Sequence, residues 1–321
     1  MMHIGMGLVC GSKIKDLIKA GFEFIIFLAD WHSWINNKFG GDIEKIRICG
    51  DYFKHCFTAI GIPRDKVRYL WASDLAGDSS YWEKVIRVAK SSSMSRLLRA
   101  LPIMGRDMAA TNLEAAAMLY PCMQVADIFH MDLDVACAGM DQRKAHMLAR
   151  DSAPRLGFKR PICVHTPLLM GLSGPEKKME GKFDEDPSID LRIGSKMSKS
   201  IPQSSIFVHD DPATISSKIR GAYCPPKAPE DNPVMEIVRL IIMPELGRLD
   251  LERPGKYGGP VSFFEYSDLR KAYSAGDIHP LDLKNSVSAA LSEILEPVRS
   301  YFESNPGPLK RMMDIEVEIT R

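Results

Sequence analysis

The chain has 321 residues, of which 45% are hydrophobic and 26% are charged, and its formal net charge is +1. These values are typical of an ordinary globular protein that is long enough for two domains. The small net charge excludes a global basic field for nucleic acid, so any RNA contact must depend on local patches. From residue 206 onward there are 14 Lys+Arg against 18 Asp+Glu (net −4), whereas residues 1–205 carry 28 against 23 (net +5).

Seven cysteines occur without a Cys-x-x-Cys pair and without zinc-ligand spacing to histidine, so we expect no metal site. An odd cysteine count without a signal peptide predicts a reducing compartment, the cytoplasm. The longest apolar run is far shorter than the roughly 18 residues that a membrane span requires, so we expect no membrane partner.

Strands and helices are predicted to alternate in the first half of the chain. Short, nearly continuous apolar runs predict strands at 21–29, 67–71, 133–138 and 161–165. Apolar residues at helical spacing predict helices at 7–19, 43–60 and 142–156. This alternation predicts a doubly wound parallel α/β sheet of the Rossmann-like kind.

Other stretches depart from that alternation. Residues 74–120 are rich in Met, Ala and Leu and predict a helical insertion, whereas 174–195 are polar and predict a mobile loop. From residue 211 the pattern is largely helical, most clearly at 291–302. We therefore predict a catalytic domain at 1–205 and a mainly α-helical domain at 206–321.

His3-Ile4-Gly5-Met6 lies just before the first predicted helix. A glycine-containing turn that opens a helix directs backbone N–H groups and the positive end of the helix dipole at an anion. His3 can donate to a phosphate oxygen, and Gly5 allows a nucleotide to approach the backbone. The alternative is an incidental sequence, because a histidine followed by Ile-Gly is weak evidence alone.

Tyr120, Gln124 and Asp127 are spaced four and three residues apart, which places them on one helical face. Polar groups among Met, Val, Ala, Ile and Phe must find partners or cost free energy. Either a bound ligand or a structural hydrogen-bond network satisfies them.

Gly139-Met140-Asp141-Gln142 follows a predicted strand and opens a helix, which is where ligands bind in open α/β folds. Asp141 can accept both ribose hydroxyls, and the Gln142 amide can donate and accept. The alternative is an ordinary helix start in which Asp141 complements the dipole.

Lys196-Met197-Ser198-Lys199-Ser200 places two lysines around a Met-Ser pair in a polar segment. Ammonium groups are mobile point charges that suit a polyphosphate. A solvated basic turn is the alternative. This pentapeptide, together with the histidine segment, resembles the two signatures of class I aminoacyl-tRNA synthetases, although Met6 stands where the family usually has histidine.

Segments 120–127 and 139–150 resemble the archaeal and eukaryotic type of tyrosyl-tRNA synthetase, and the resemblance extends over essentially the whole chain. It implies a catalytic role for His3, Lys196 and Lys199. It implies ATP binding by Gly5, Gly139, Asp141, Met197 and Ser198. It implies tyrosine binding by Ala29, His32, Tyr120, Gln124, Asp127 and Gln142.

The resemblance also implies contacts with tRNA(Tyr). Arg143 and Lys144 would reach acceptor-stem phosphates, while Tyr257, His279 and Asp282 would meet the anticodon, Tyr257 by stacking. We further expect a homodimer through the 74–120 insertion, whose apolar residues exceed what a small insertion can obviously bury. Those residues are Leu97, Leu98, Leu101, Ile103, Met104, Met108 and Met118.

The function implied is tyrosine–tRNA ligase, with ATP and Mg²⁺ as the substrate complex and no permanently bound cofactor. A tryptophanyl-tRNA synthetase is the first alternative, and Asp127 argues against it because an indole N–H needs one acceptor in a larger pocket. A tRNA-binding protein without catalysis is the second. In the family, a strand with a further hydroxyl-binding tyrosine precedes the histidine segment. The sequence begins two residues before His3, so we expect either further residues ahead of Met1 or a copy that has lost this part of the site.

Overall fold

A computed structural model gives the fold and describes residues 1–105, 114–176, 182–198 and 201–319, except for the side chains of 318 and 319. Met108 and Lys199 lie outside the described residues. Across these ranges, no helix is both long and apolar enough to cross a membrane.

Four parallel strands form two pairs in the first half of the chain. Strand β1 (Phe24–Leu28) pairs with β2 (Val67–Trp71), and β3 (Val135–Gly139) pairs with β4 (Ile162–Thr166). The strands of each pair end in register, Leu28 opposite Trp71 and Gly139 opposite Thr166. Each of the four predicted strands overlaps an observed one, because buried parallel strands are marked by local apolar runs.

The two pairs are separated by a cavity. Among the described residues β1 pairs with β2 alone and β3 with β4 alone. A cavity of about 350 Å³ is lined by β1 residues 24–27, β3 residues 135–138 and the side chains of Gln124 and Asp127. The predicted α/β class is therefore observed, with its parallel strands in two pairs and not in one continuous sheet.

Helices connect the strands and begin shortly after the carboxyl ends of β1, β2 and β3. In the first part of the chain they are α1 (Cys10–Lys19), α2 (Asp30–Ile35), α3 (Ile43–Ala59), α4 (Ala72–Ala76), α5 (Ser79–Ser91), α6 (Met94–Ala100), α7 (Leu119–His130), α8 (Arg143–Leu156) and α9 (Pro187–Ser195). A π-type turn at Gly5–Val9 leads into α1. Helix α8 ends at Gly157, whose φ of +75° favours glycine.

The later part of the chain is mainly helical, as predicted. It contains α10 (Pro212–Gly221), α11 (Pro233–Ile237), α12 (Met243–Leu246), α13 (Tyr266–Ala275), α14 (Pro280–Ser304), α15 (Pro306–Ile319) and the antiparallel strands β5 (Leu249–Leu251) and β6 (Val261–Phe263). One hydrophobic cluster includes Ile26, Leu169, Ile206 and Leu291 and therefore crosses the predicted boundary at 205. The helical region thus packs directly on the strand-containing part, and the division into two domains stays a prediction.

The predicted loop at 174–195 is wrong over its second half. Residues Pro187–Ser195 form α9, whose first turn is capped by Asp186 accepting from the Ser188 N–H. Pro187 occupies the first helical position, which suits its fixed φ. Ile193 is buried, so a short apolar contact stabilises a helix that the polar composition concealed.

The apolar argument for the dimer also fails for four of the seven residues on which it depended. Leu97, Leu101, Ile103 and Met104 are 6%, 2%, 5% and 4% exposed within the single chain. They pack on α7, α8 and their own neighbours. Burial in the monomer therefore satisfies these side chains, and the homodimer itself stays a prediction.

Candidate active site

The buried carboxylate of Asp127 is the centre of the polar network beside the cavity. Asp127 is 3% exposed. The Tyr81 hydroxyl donates to Asp127 Oδ1 at 2.9 Å, and His32 Nε2 lies 3.0 Å from Asp127 Oδ2. Burial, and then the charge of Asp127, raises the pKa of Tyr81 far above its usual range. Tyr81 therefore stays protonated and holds the carboxylate as a donor.

Tyr81 was not predicted as a site residue. It lies on α5, where Val85 and Val88 share its buried face, so its sequence context indicates a core position. The available signal was that a buried tyrosine hydroxyl usually needs a hydrogen-bond partner. Its contact with Asp127 spans 46 positions of sequence, which local patterns do not reveal.

The other predicted tyrosine-binding side chains lie around Asp127. The Tyr120 ring packs edge-on against His32, with ring centroids 5.1 Å apart. Burial, then the charges of Asp127 and Asp141, raises the pKa of Tyr120 well above its usual range. Tyr120 is thereby kept as a neutral donor between the two carboxylates.

Gln124 and Gln142 form a connected pair of amides. Gln124 Nε2 donates to Gln142 Oε1 at 3.1 Å, and Gln142 Nε2 donates to the Ile103 carbonyl at 3.2 Å. Gln124 Oε1 is buried and has no hydrogen-bond partner among the described residues. A buried carbonyl without a partner costs free energy, so a ligand donor such as an amine would satisfy it.

Ala29 and Asp30 follow the end of β1 and line another cavity of about 360 Å³, whose lining also includes Met6. Ala29 is half-buried and directly precedes α2. Asp30, 1% exposed, accepts from the Ser73 backbone N–H at 3.0 Å and from the Ser73 hydroxyl at 2.6 Å. Asp30 therefore ties the carboxyl ends of β1 and β2 together, a structural role that was not predicted.

The end of β3 supplies a second carboxylate, Asp141. A Cβ atom on Gly139 would lie 2.6 Å from Asp141 Oδ1, so a larger residue at this position would displace the Asp141 side chain. Asp141 Oδ2 accepts from Lys196 Nζ at 2.5 Å, and both side chains are largely buried. The predicted ribose-binding carboxylate and the first lysine of the pentapeptide are thus in direct contact.

The histidine and lysine segments meet on Leu169. A Cβ atom on Gly5 would lie 3.1 Å from His3 Nδ1 and 3.2 Å from Leu169 Cβ. The Leu169 carbonyl accepts from the Met197 N–H at 2.7 Å. His3 Nδ1 lies 3.3 Å from the Met6 N–H that donates to it. The backbone between His3 and Met6 is therefore closed into a tight turn at the start of the helix.

The described part of the lysine segment, residues 196–198, is held in place at Met197 and at Ser198. Met197 is 2% exposed, and the Ser198 carbonyl accepts from the Ser205 hydroxyl at 2.7 Å. Among the described residues, no group of three or more His, Cys, Asp or Glu side chains is arranged to hold a metal ion. The site thus presents His3, Lys196 and Asp141 near a turn that suits an anion.

A sequence profile of the family described as "tRNA synthetases class I (W and Y)" matches residues 1–296. The chain belongs to this synthetase family. The tyrosine–tRNA ligase of Sulfurisphaera tokodaii is 46% identical over 322 residues, covering 100% of this chain and 87% of that ligase. The tyrosyl-tRNA synthetase of Pyrococcus horikoshii, solved as a complex with L-tyrosine, is 41% identical with a TM-score of 0.89, covering 98% of this chain and 88% of that one.

These likenesses confirm the predicted resemblance to tyrosyl-tRNA synthetases. A tryptophanyl-tRNA synthetase from Aeropyrum pernix aligns over 98% of this chain and 78% of its own, with a TM-score of 0.70 and 18% identity. That degree of identity shows a shared fold alone. The tyrosyl members are therefore the nearer relatives of this synthetase at the level of sequence.

The synthetase presents a basic groove beside α8. A cavity of about 310 Å³ is lined by Arg96, Arg99, Arg143 and Lys144, together with Asp184. Arg143 is exposed. Lys144 Nζ instead donates to the Phe183 carbonyl at 2.5 Å and lies 3.7 Å from Asp184 Oδ2. Of the two predicted phosphate contacts, Arg143 is thus the accessible one, while Lys144 holds the segment before α9.

The predicted anticodon residues lie in the helical region of the synthetase. Tyr257 is 61% exposed, with Lys256 Nζ 4.8 Å from its ring centroid, and an exposed aromatic ring can stack on an unpaired base. His279 caps α14, where its Nδ1 accepts from the Leu281 N–H at 3.1 Å, and Asp282 lies in the first turn. Arg253 donates to the Gly259 and Asp277 carbonyls, which brings the turn of Tyr257 close to the start of α14.

Proposed function

We propose that this synthetase is a tyrosine–tRNA ligase that forms tyrosyl-adenylate from L-tyrosine and ATP, used as its Mg²⁺ complex, and passes the tyrosyl group to tRNA(Tyr). The observation that carries the proposal is the buried carboxylate of Asp127, held by Tyr81 beside a cavity. A buried acceptor of this kind suits a phenolic hydroxyl. The relatives from Sulfurisphaera tokodaii and Aeropyrum pernix, 46% and 45% identical, are tyrosine–tRNA ligases, which supports the same reaction.

Asp127 retains the capacity to accept from a substrate. An ionised carboxylate offers about four lone-pair sites, of which Tyr81 uses one and the neighbouring His32 faces the other oxygen. A tyrosine hydroxyl would add a further hydrogen bond to the same group. Gln124 Oε1, buried without a protein partner among the described residues, would accept from the α-ammonium group, and Tyr120 lies beside it on α7.

Activation needs positioning and charge stabilisation. The tyrosine carboxylate attacks the α-phosphorus, a new O–P bond forms, and the α–β phosphate bond breaks to release pyrophosphate. His3, Lys196 and Lys199 would stabilise the charge that develops on the phosphates. Gly5, Gly139, Met197 and Ser198 shape the backbone that the nucleotide approaches, and Asp141 would accept from the ribose hydroxyls.

Lys196 has a second role in this scheme because it is bonded to Asp141. When the ribose occupies Asp141, its hydroxyls compete for the carboxylate and leave Lys196 to the phosphates. Lys196 would then accelerate activation through the part of its phosphate contact that is stronger in the transition state than in the bound ground state. In the second step, the tRNA 3′-terminal hydroxyl attacks the tyrosyl carbonyl and AMP leaves.

The tRNA would be held at two places, the acceptor stem near Arg143 and the anticodon near Tyr257, His279 and Asp282.

We also propose a homodimer through residues 74–120, supported by the exposed side chains of Ile86 and Met94, 57% and 61% accessible. Exposed apolar surface often marks association. A monomer mass by light scattering at micromolar concentration would refute the dimer.

The odd number of free cysteines supports a cytoplasmic location.

ATP–pyrophosphate exchange with each of three amino acids tests the proposal. We expect exchange with tyrosine, far less with phenylalanine, and none with tryptophan. Tryptophan-dependent exchange would favour the first alternative. A folded protein that binds tRNA but shows no exchange with any of the three would favour the non-catalytic alternative.

A further inference from the structure

The lysine segment is held by a short buried backbone segment that follows β4. The Met197 N–H donates to the Leu169 carbonyl at 2.7 Å, and the Gly171 N–H donates to the Ser195 carbonyl at 2.9 Å. Met170 and Lys196 lie opposite each other as an antiparallel bridge between these two bonds. Lys196 therefore takes its backbone position from Met170.

The geometry of the bridge leaves the Met170 N–H pointing away from Lys196. The two bonds of the bridge are made by the flanking residues, so Met170 itself exchanges none with Lys196. Met170 is 4% exposed, and a buried N–H that faces no acceptor costs free energy comparable to a lost hydrogen bond. Its partner must come from the other side of the segment.

That partner is Glu236 of α11, in the helical region. Glu236 Oε2 accepts from the Met170 N–H at 3.1 Å, and Oε1 lies 3.8 Å from Arg239 Nη2. The residue is 9% exposed. Burial raises the pKa of Glu236, while the Met170 hydrogen bond, Arg239 and Arg192 oppose that rise. The protein thus keeps a costly buried carboxylate whose described hydrogen bond is to the Met170 N–H.

The helix that carries Glu236 is fixed at its start. Asn232 is fully buried, and its side chain accepts from the Val234 and Met235 N–H groups. This cap fixes the first turn of α11, in which Glu236 lies. A continuous set of contacts then runs from Glu236 through Met170 to Lys196 and on to Asp141.

We infer that Glu236 is a positioning residue for amino-acid activation: its carboxylate holds the Met170 backbone and, through it, places Lys196 for the ATP phosphates. Glu236 acts across the predicted domain boundary, so the helical region contributes to the activation step without touching a substrate. This inference rests on the proposed ligase function.

Three variants of Glu236 and one control test the inference. E236A removes the acceptor, E236D withdraws it by one methylene while keeping the charge, and E236Q keeps an acceptor oxygen without the charge. E245A is the control, because Glu245 joins α12 to Lys15 of α1 at 2.8 and 2.9 Å and therefore also links the helical region to the first part of the chain. ATP–pyrophosphate exchange gives kcat and KM, and thermal melting reports folding.

We expect E236A and E236D to lower kcat by about tenfold to a hundredfold, the size of effect that a small misplacement of a catalytic group produces. The KM for tyrosine should stay unchanged. E236Q should remain within a few-fold of wild type, and E245A should melt earlier but keep its kcat. If E236A does not fold, the difference in kcat between E236D and E236Q still tests the inference.

Equal losses of kcat in E236D and E236Q would overturn the inference. A loss of kcat in E245A in proportion to its loss of stability would also overturn it, because the Glu236 effect could then come from destabilisation alone. A change confined to the KM for tyrosine would also overturn it. Wild-type exchange is measured first. If the wild-type protein shows no exchange, the ligase function is refuted. If the wild-type protein is active and the Glu236 variants keep its kcat, the positioning role alone is refuted.

Discussion

Lys196 and Asp141 are joined by a hydrogen bond of 2.5 Å between Nζ and Oδ2. The lysine comes from the segment after α9 and the aspartate from the turn after β3, so the contact spans 55 positions of sequence. The sequence assigns Lys196 to the phosphates of ATP and Asp141 to its ribose. Under the proposed function, ATP would replace this ion pair with a ribose contact to Asp141 and phosphate contacts to Lys196.

Lys196→Ala is expected to slow adenylate formation while leaving the KM for tyrosine unchanged. Loss of a charge-assisted contact to the developing anion typically costs about 2–4 kcal/mol of transition-state stabilisation. Lys199→Ala, outside the described residues, is expected from the sequence to act in the same way. Lys13→Ala is the control, because Lys13 pairs with Asp16 on the exposed face of α1. Normal turnover with weakened tyrosine binding in Lys196→Ala would contradict the assignment.

Tyr81→Phe is expected to lower kcat/KM for tyrosine and to reduce the preference over phenylalanine. A site built to pair a buried polar group rejects the deoxy analogue by roughly 10⁴–10⁵, a factor taken over from tyrosyl-tRNA synthetases as a class. Without the Tyr81 hydroxyl, Asp127 loses a hydrogen bond worth about 1.5–3 kcal/mol and its fixed orientation. Tyr273→Phe is the control, since Tyr273 is also fully buried but its hydroxyl donates to the Pro225 carbonyl in the helical region. The two variants should differ in exchange assays, and identical selectivity would count against the role of Tyr81.

His146 is expected to make folding stability fall in acid. Burial, then the adjacent His165, lowers the pKa of His146 to about 4. The unfolded chain binds this proton near pH 6.5, so stability is complete above about pH 6.5 and is lost as the pH falls toward 4. At 1.4 kcal/mol per pKa unit the loss approaches about 3 kcal/mol.

Urea unfolding of His146→Gln at about pH 7.5 and pH 4.5 measures this contribution. The variant should lose less stability between the two values than wild type does. His130→Gln, at a half-buried position, should retain the wild-type fall. An unchanged difference in His146→Gln would show that other groups cause the acid sensitivity.

Arg143→Ala is expected to weaken aminoacylation of every competent tRNA and to flatten its salt dependence, since phosphate contacts are salt-sensitive and independent of sequence. Lys144→Ala is the contrast, because its amine is bonded to the Phe183 carbonyl. That variant should lower stability and leave the salt slope unchanged. Aminoacylation rates measured across a salt series distinguish them, and equal slopes in Arg143→Ala and wild type would remove Arg143 from the interface.

Asp282→Ala is expected to impair charging of the tRNA with the correct first anticodon base by about 1–3 kcal/mol. A tRNA already altered at that base should hardly respond, and adenylate formation should be unaffected. Kinetics with the two tRNAs give the comparison. Equal losses would mean that the start of α14, where His279 already serves as the helix cap, is structural.

Several site residues were predictable because they are marked by local sequence. Asp141 follows β3 at the carboxyl end of a parallel strand, which is where such folds bind ligands. Tyr120, Gln124 and Asp127 share one face of α7 through helical spacing alone. The four strands were predictable for the same reason, since residues buried on both faces form continuous apolar runs.

The sequence by itself determined the strand–helix alternation, the two segments predicted to bind nucleotide and the resemblance to tyrosyl-tRNA synthetases. The tertiary structure decided the pairing of Lys196 with Asp141, the hydrogen bond from Tyr81 to Asp127, and the contact of Glu236 with Met170. It also decided that Leu97 and Leu101 are buried within the chain. These features depend on contacts between residues far apart in sequence, whereas periodicity and motifs report the chemistry of neighbours along the chain.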